Sequence, residues 1–352
     1  MAPSTFEAKS YRAGILGLGF IGGADQVSGD ALGQRVADLD GTHLMALSGY
    51  PRIDVVAGSS RDEGRRQRFT QRTGQKTYAN WQTMIEQEQL DIVSVATYAP
   101  QHAEMVAACA RRGIRAIYCE KPIATRLPDA EEMVTACQRA GSLLVINHNR
   151  RFNPNYRRLR ASITAGVLGN LTSLSLQWGT GRLGNVGTHL IDASLMLTGQ
   201  RIRAVSATLD PTNRPDCRGS RFHDPGGWGL LRFESGLMAT VDAPDEGKTG
   251  ARLIVNGTLG RALAGGDEVT LEFWDGRHEH WPSLRSEATG MDRAVAEIVA
   301  WLDGASAFAY SAAEAVHTLE TIIGFHASHA SNGAWVELPL TSGDRLREVN
   351  SG

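Results

Sequence analysis

Arg12-Ala13-Gly14-Ile15-Leu16-Gly17-Leu18-Gly19-Phe20-Ile21-Gly22 is the stretch that decides the fold. A short apolar strand over residues 12–16 runs straight into glycines spaced G-x-G-x-x-G. In that spacing Gly17 permits a tight turn, Gly19 lets the backbone approach a pyrophosphate, and Gly22 allows close contact between strand and helix. The free N–H groups of the following helix would face the phosphates. Gly17, Gly19, Phe20, Ile21 and Gly22 are therefore expected to hold a dinucleotide. The motif alone is weak; its surroundings give it weight. Apolar runs at 53–57, 92–96, 116–119 and 143–146 alternate with helical patterns at 62–72, 81–88, 101–112 and 128–139. Gly74, Gly113 and Gly141 follow three of those helices, where a C-terminal glycine belongs. Fully apolar strands separated by helices imply a parallel sheet covered on both faces.

Beyond residue 150 the pattern changes. Residues 171–178 alternate apolar and polar, Phe233 and Leu237 flank a Glu-Ser-Gly turn, and 271–274 and 278–281 flank Asp275-Gly276. These are hairpin signals of a mostly antiparallel sheet. Two helices follow, over 291–302 and 312–328. The expected fold is α/β: an N-terminal Rossmann doubly wound parallel sheet over 1–150, then a C-terminal α+β domain with an open, mostly antiparallel sheet over 151–352. The second domain would bind substrate and oligomerise.

The bulk numbers exclude several classes. The chain has 352 residues, 21% of them charged, and a formal net charge of −2, without the basic surplus of a nucleic-acid binder. No run of about 18 apolar residues predicts a membrane span. Residues 1–10 are polar with no apolar core, so no signal peptide is expected. Cys109, Cys119, Cys137 and Cys217 show no C-x-x-C spacing, which fits reduced thiols in a cytoplasmic protein. No metal site is expected: His278-Glu279-His280 lacks a third ligand and reads as an exposed hairpin, and His326 and His329 read as structural or interfacial. Residues 23–41 are polar and longer than a turn-helix needs; a loop over the cofactor and a surface excursion are both open readings.

The second strand, 53–57, runs into Gly58-Ser59-Ser60-Arg61 with no carboxylate at its end. An NAD site usually has Asp or Glu there for the ribose hydroxyls. Ser59, Ser60 and Arg61, with Arg65 or Arg66 nearby, suit a 2′-phosphate, because a guanidinium presents a planar fork of donors. NADP is the expected cofactor, and Asp62 leaves NAD as the alternative. The strand 116–119 ends in Glu120-Lys121-Pro122. Pro122 forces an extended conformation on Lys121, at the carboxyl end of a parallel strand, where open α/β sheets bind ligands. A desolvated lysine beside a positive nicotinamide would have a lowered pKa and could exchange the proton of a hydroxyl/carbonyl pair. In the second domain, His189 and Asp192 are three residues apart on one helical face, with Asn185 one turn before. Arg150 and Arg151 leave the last Rossmann strand, and a long loop over 210–227 carries Arg214, Arg218, Arg221 and His223. Arginines in both places suggest an anionic substrate.

Cys119-Glu120-Lys121-Pro122-Ile123-Ala124 resembles the Glu-Lys-Pro signature of the Gfo/Idh/MocA family, the glucose-fructose oxidoreductase and inositol dehydrogenase group. Residues 93–97 followed by His102 resemble the family's strand-loop, with a histidine five residues after Thr97. Residues 250–264 and 334–340 also look familial, and the similarity spans about residues 12 to 340. In the helix after 185 the family carries an aspartate, a histidine four residues on and an aspartate three further. His189 and Asp192 match, and Asn185 replaces the first aspartate. The resemblance implies hydride transfer on sugars, polyols or their derivatives, Thr97, His102 and Glu120 around the cofactor, and homodimers or homotetramers packed through the open C-terminal sheet. An amide cannot serve as a general base. Lys121 is therefore the expected acid/base, His189 a substrate ligand or proton partner, and Asn185 an orienting hydrogen-bond partner. Two other functions remain in view: an oxidoreductive glycosidase that uses its dinucleotide catalytically, and a non-enzymatic dinucleotide-sensing regulator.

Overall fold

The computed structural model describes residues 9–212 and 223–350, and its Cα packing forms two compact units. The first comprises Met1–Glu120, Thr135–Val145 and Met291–Ala309; the second comprises Lys121–Val134, Ile146–Gly290 and Tyr310–Gly352.

The first unit is built on a six-stranded sheet. Its strands are β1 (Tyr11–Leu16), β2 (Ile53–Ser59), β3 (Lys76–Tyr78), β4 (Ile92–Val95), β5 (Ala116–Cys119) and β6 (Leu143–Ile146), in the order β3-β2-β1-β4-β5-β6. The pairings β2–β3, β1–β2, β1–β4 and β4–β5 are parallel. Every residue of β4 and β5 is buried, as their unbroken apolar runs require of strands covered on both faces. β2 runs two residues beyond the expected end because Ala57, Gly58 and Ser59 pair with Lys76, Thr77 and Tyr78 of β3, a strand too short and polar to be read from sequence.

The helices here are α1 (Phe20–Gly23), α2 (Gln26–Asp30), α3 (His43–Gly49), α4 (Glu63–Thr73), α5 (Trp81–Gln87) and α6 (His102–Arg111), followed by α7 (Leu127–Ala140). Side-chain oxygens of Thr42, Asp62 and Asn80 cap α3, α4 and α5 by accepting backbone N–H bonds. The helix expected after the glycine loop is a single turn. Two glycines in α1 favour helix poorly, and the chain leaves it at Ala24 in a left-handed conformation (φ 53). Gly23, Asp25 and Ser28 are then tied to α4. The buried Asp25 carboxylate accepts Nε and Nη2 of Arg68 at 2.8 and 2.7 Å, and Arg72 donates to the Gly23 carbonyl at 2.7 Å.

The second unit carries α8 (Pro154–Thr164), α9 (Thr188–Thr198) and, after α10, α11 (Ala312–Ala330). Its nine strands are β7 (Leu171–Gln177), β8 (Ile202–Leu209), β9 (Gly227–Phe233), β10 (Met238–Ala243), β11 (Arg252–Gly257), β12 (Gly260–Gly265), β13 (Glu268–Phe273), β14 (His278–Trp281) and β15 (Val336–Glu337). They run in the order β14-β13-β12-β11-β7-β10-β9-β8-β15, antiparallel throughout except for β7 with β10. Alternate residues of β11 to β13, such as Leu253, Val255, Ala262, Ala264, Val269 and Leu271, form the buried face. The two expected hairpins join β9 to β10 and β13 to β14, with Gly236 and Gly276 at positive φ.

One helix sits apart from its expected domain. α10 (Gly290–Leu302), with the residues after it, packs in the first unit. Tyr11 Oη donates to Asp303 Oδ1 at 2.6 Å, Arg52 forks onto the same carboxylate, and Arg115 Nη2 donates to the Leu302 carbonyl at 2.7 Å. By Cα packing, residues 121–134 group with the second unit and residues 291–309 with the first.

Candidate active site

In the first unit the glycine loop is closed by backbone contacts. Gly17 N–H donates to the Ser59 carbonyl at 2.9 Å, and Gly17 holds φ +100. A Cβ on Gly17 would lie 2.3 Å from the Ala96 carbonyl oxygen, and one on Gly22 would lie 1.9 Å from the Gly17 oxygen. Neither position admits a side chain. Gly19 differs: a Cβ there would meet only the Arg65 guanidinium, at 3.5 Å. The backbone at Gly19 is thus open on the side where a pyrophosphate would approach, which fits a dinucleotide. Phe20 is buried with its ring against Gly29, and Ile21 is half-buried.

The other residues expected around the cofactor fall into two groups. At the end of β2, Ser59 is buried, Ser60 Oγ accepts from Asp62 N–H, and Arg61 is exposed without an ion-pair partner among the described residues. Asp62 Oδ1 is engaged by the Arg65 N–H as the cap of α4. The second group lies inside. His102 is fully buried, with Nε2 on the Thr97 carbonyl at 3.1 Å, so it shapes the loop after β4 from within. Glu120 is 7% exposed and pairs with Nε2 of His43 at 3.0 Å, while His43 Nδ1 meets Ser94 Oγ. His102 and Glu120, both expected around the cofactor, each have a buried partner that spacing along the chain does not reveal. His43 was missed for the same reason.

In the second unit Lys121 Nζ donates to both the side-chain and backbone oxygens of Asn185, each at 3.0 Å. Asn185 lies in a π-helical turn, Leu183–Gly187, rather than at the start of an ordinary helix. Such turns recur at functional sites. Asp224 fixes it, accepting the N–H groups of Gly184 and Asn185 at 2.9 Å each. His189, in the first turn of α9, is half-buried, and its Nδ1 is shielded from solvent with no hydrogen-bond partner among the described residues. Burial, and then the charges of Lys121, Arg150 and His148, push this imidazole well below its ordinary value. It is neutral at neutral pH. Arg150 donates Nε to Tyr156 Oη at 3.3 Å and has no carboxylate partner among the described residues.

Asp192 has its own set of partners. It is fully buried, accepts Arg151 Nε at 2.7 Å and Nη2 at 2.8 Å, and lies 3.2 Å from His148 Nδ1. Burial alone would raise its carboxyl; His148 and Arg151 outweigh that and hold it well below the usual carboxylate range. Arg151 also pairs with Glu314. The spacing that put His189 and Asp192 on one face was right about the helix. It did not show that Asp192 and Arg151, both expected to bind substrate, neutralise each other in the interior. His148 was missed. Arg214, Arg218 and Arg221 lie outside the described residues. No trio of His, Cys, Asp or Glu among the described residues is placed to hold a metal ion.

A sequence profile described as "Oxidoreductase family, NAD-binding Rossmann fold" matches residues 11–148, and the "GFO/IDH/MocA C-terminal domain" profile matches residues 156–263. The chain belongs to the GFO/IDH/MocA family. Among curated relatives, this GFO/IDH/MocA chain is 36% identical to the rhizopine catabolism protein MocA of Rhizobium meliloti over 36% of its own length and 44% of that protein. It is 28% identical to inositol 2-dehydrogenase 2 of Saccharopolyspora erythraea over 65% of each. The matches thus span less than two thirds of these relatives. The fold is shared with the WlbA dehydrogenase of Bordetella pertussis, solved with NADH and UDP-GlcNAcA, at a TM-score of 0.75 and 19% identity over 95% of this chain and 99% of that one.

Removing one partner of a buried ion pair leaves an uncompensated charge, which costs about 3–5 kcal/mol. Asp192→Asn is expected to lower the unfolding free energy by that order in chemical denaturation. The carboxyl is depressed in the folded state, so its contribution is present above the unfolded value near pH ~4 and fades as pH falls through the folded one. The variant's stability should accordingly fall less steeply than wild type below that pH. An unchanged midpoint would show that the pair holds nothing.

Proposed function

We propose that this protein transfers a hydride between a nicotinamide dinucleotide and a hydroxyl or ketone carbon of a sugar, polyol or sugar derivative, with Lys121 handling the proton. The observation that carries this reading is the tether of Lys121 Nζ to the two oxygens of Asn185. Lys121 follows β5 by one intervening residue, at the carboxyl end where open α/β sheets take their ligands. The amide of Asn185 accepts hydrogen bonds and cannot take the proton, which leaves that step to the ammonium. His189, neutral and with a ring nitrogen that has no hydrogen-bond partner among the described residues, is suited to hydrogen-bond the reacting oxygen. When bound, the dinucleotide supplies the hydride acceptor or donor. The inositol dehydrogenase relative supports a polyol or sugar as substrate. Lys121→Met is expected to lower kcat by about 10²–10⁴-fold on a sugar panel while coenzyme affinity stays near wild type. Unimpaired turnover would remove the proposal.

We further propose NADP as the preferred coenzyme. Its support is the end of β2, where Asp62 is engaged as a helix cap and Arg61 is exposed and unengaged by any acid among the described residues. Charge-assisted hydrogen bonds contribute about 1.5–3 kcal/mol. Arg61→Ala should therefore weaken NADPH by about tenfold or more and leave NADH almost unchanged in parallel titrations. Equal effects on both would favour NAD.

The substrate, in this proposal, carries an anionic group. Arg150 lacks a carboxylate partner among the described residues, Asn185 is neutral where the family pattern has an acid, and Asp192 is already neutralised. Arg150→Met is expected to raise KM for a uronate about tenfold and to leave that of the matching neutral sugar alone; equal KM shifts for the two would exclude it. We place the protein in the cytoplasm, as a homodimer or homotetramer joined through the open face of the nine-stranded sheet. Burial pushes the Cys109 and Cys137 thiols up to about 12, so they stay unreactive. Trp228, Leu230 and Trp335 expose apolar surface for a second copy to cover. No helix among the described residues is long and apolar enough to cross a membrane.

A further inference from the structure

The glycine loop poses an electrostatic problem that the rest of the first unit answers. A dinucleotide brings two negative charges on its diphosphate. Residues 17–24 contain no lysine or arginine, and α1 is a single turn of four residues. A helix so short sums few peptide dipoles, so little positive potential gathers at its start.

Four arginines project from α4, and three are engaged elsewhere. Arg66 donates to the carbonyls of Ser60 and Arg61 at 2.7 and 2.9 Å. Arg68 and Arg72 share the buried carboxylate of Asp25. Arg65 makes a single side-chain hydrogen bond, from Nε to Ser28 Oγ at 3.1 Å, and its terminal Nη groups meet no acceptor among the described residues. Ser28 is itself fixed, donating to Asp25 Oδ2 at 2.7 Å. A chain of contacts thus runs from Arg68 through Asp25 and Ser28 to Arg65. It places the Arg65 guanidinium against Gly19, with Nη1 and Cζ 3.5 and 3.6 Å from where a Cβ on that glycine would stand. Gly19 is the residue whose missing side chain opens the backbone to a pyrophosphate.

We propose that Arg65 is a ligand of the dinucleotide's diphosphate, positioned by Ser28 and Asp25 of the segment inserted after α1. The inference rests on the dinucleotide reading above. It accounts for the insertion, since a guanidinium compensates for the short helix and the inserted residues hold that guanidinium over the glycine loop. Position assigns Arg65 to the diphosphate, which every dinucleotide carries, and leaves the 2′-phosphate to the end of β2. A planar fork with two unengaged Nη groups suits bidentate contact with a phosphate.

The test is calorimetric titration of NADH, NADPH and ADP-ribose into wild type, Arg65→Met and Ser28→Ala, with thermal melts of each. Arg65 is partly exposed, so its variant should melt near wild type. Arg65→Met is expected to weaken all three ligands by a similar factor, about tenfold or more. Ser28→Ala, which frees the guanidinium without removing it, should weaken all three by a smaller factor. A loss confined to NADPH would place Arg65 on the 2′-phosphate and overturn the proposal. So would unaltered binding of all three ligands by Arg65→Met. Wild type that binds none of the three would overturn the dinucleotide reading itself, a failure seen before any variant is titrated.

Discussion

A carboxylate buried without a cation is not tolerated, and that constraint organises both units of this protein. Asp25 and Asp192 are each fully buried. Each draws in arginine: Arg68 and Arg72 for the first, and Arg151 for the second, which also lies 3.2 Å from His148 Nδ1. In the first unit the pairing fastens the segment that follows α1 to α4. In the second it fastens the segment after β6 to α9, whose preceding π-helical turn carries Asn185 and so sets the lysine tether. Replacing either acid by an apolar residue would leave arginine charge stranded, and desolvation makes that more costly than the pair is favourable.

The same constraint decides which cations are left for ligands. Arginine is abundant in α4 and after β6, and counting residues suggests broad basic patches. Ion pairs engage Arg68, Arg72 and Arg151, whereas Arg61, Arg65 and Arg150 meet no acid among the described residues. An arginine already forked onto a buried acid has neither the geometry nor the net charge to hold a phosphate or carboxylate. A neighbour bonded only to a serine or tyrosine hydroxyl keeps both.

Much of the fold was legible because it depends on local patterning. β5 and β6 match their apolar runs residue for residue, Gly236 and Gly276 mark their hairpins, and α4 begins and ends at its Asp and Gly caps. What escaped depends on partners distant in the chain. β3 is visible only through its pairing with β2, β15 only through β8, and α10 joins the first unit through Asp303, 292 residues from Tyr11. The site followed the same rule. The glycines, Lys121 and Asn185 were legible because backbone conformation and motif position single them out. The buried partners of Asp192, His102 and Glu120 were not legible, since period fixes which face a side chain occupies and not what packs against it.

Asn185 shows how one atom changes the electrostatics of such a site. Its amide oxygen holds Lys121 at the distance a carboxylate would, but adds no negative charge. An aspartate there would favour the ammonium form and resist proton release. With the amide, orientation is kept and that bias is gone. His189 is pushed the same way, since burial and the nearby Lys121 and Arg150 keep it neutral. Lys121 and a neutral His189 therefore share a site in which the side chain that tethers the ammonium carries no charge. The amide thus keeps the geometry of the tether while removing a charge from it, and Arg150, held by the Tyr156 hydroxyl, meets no carboxylate among the described residues.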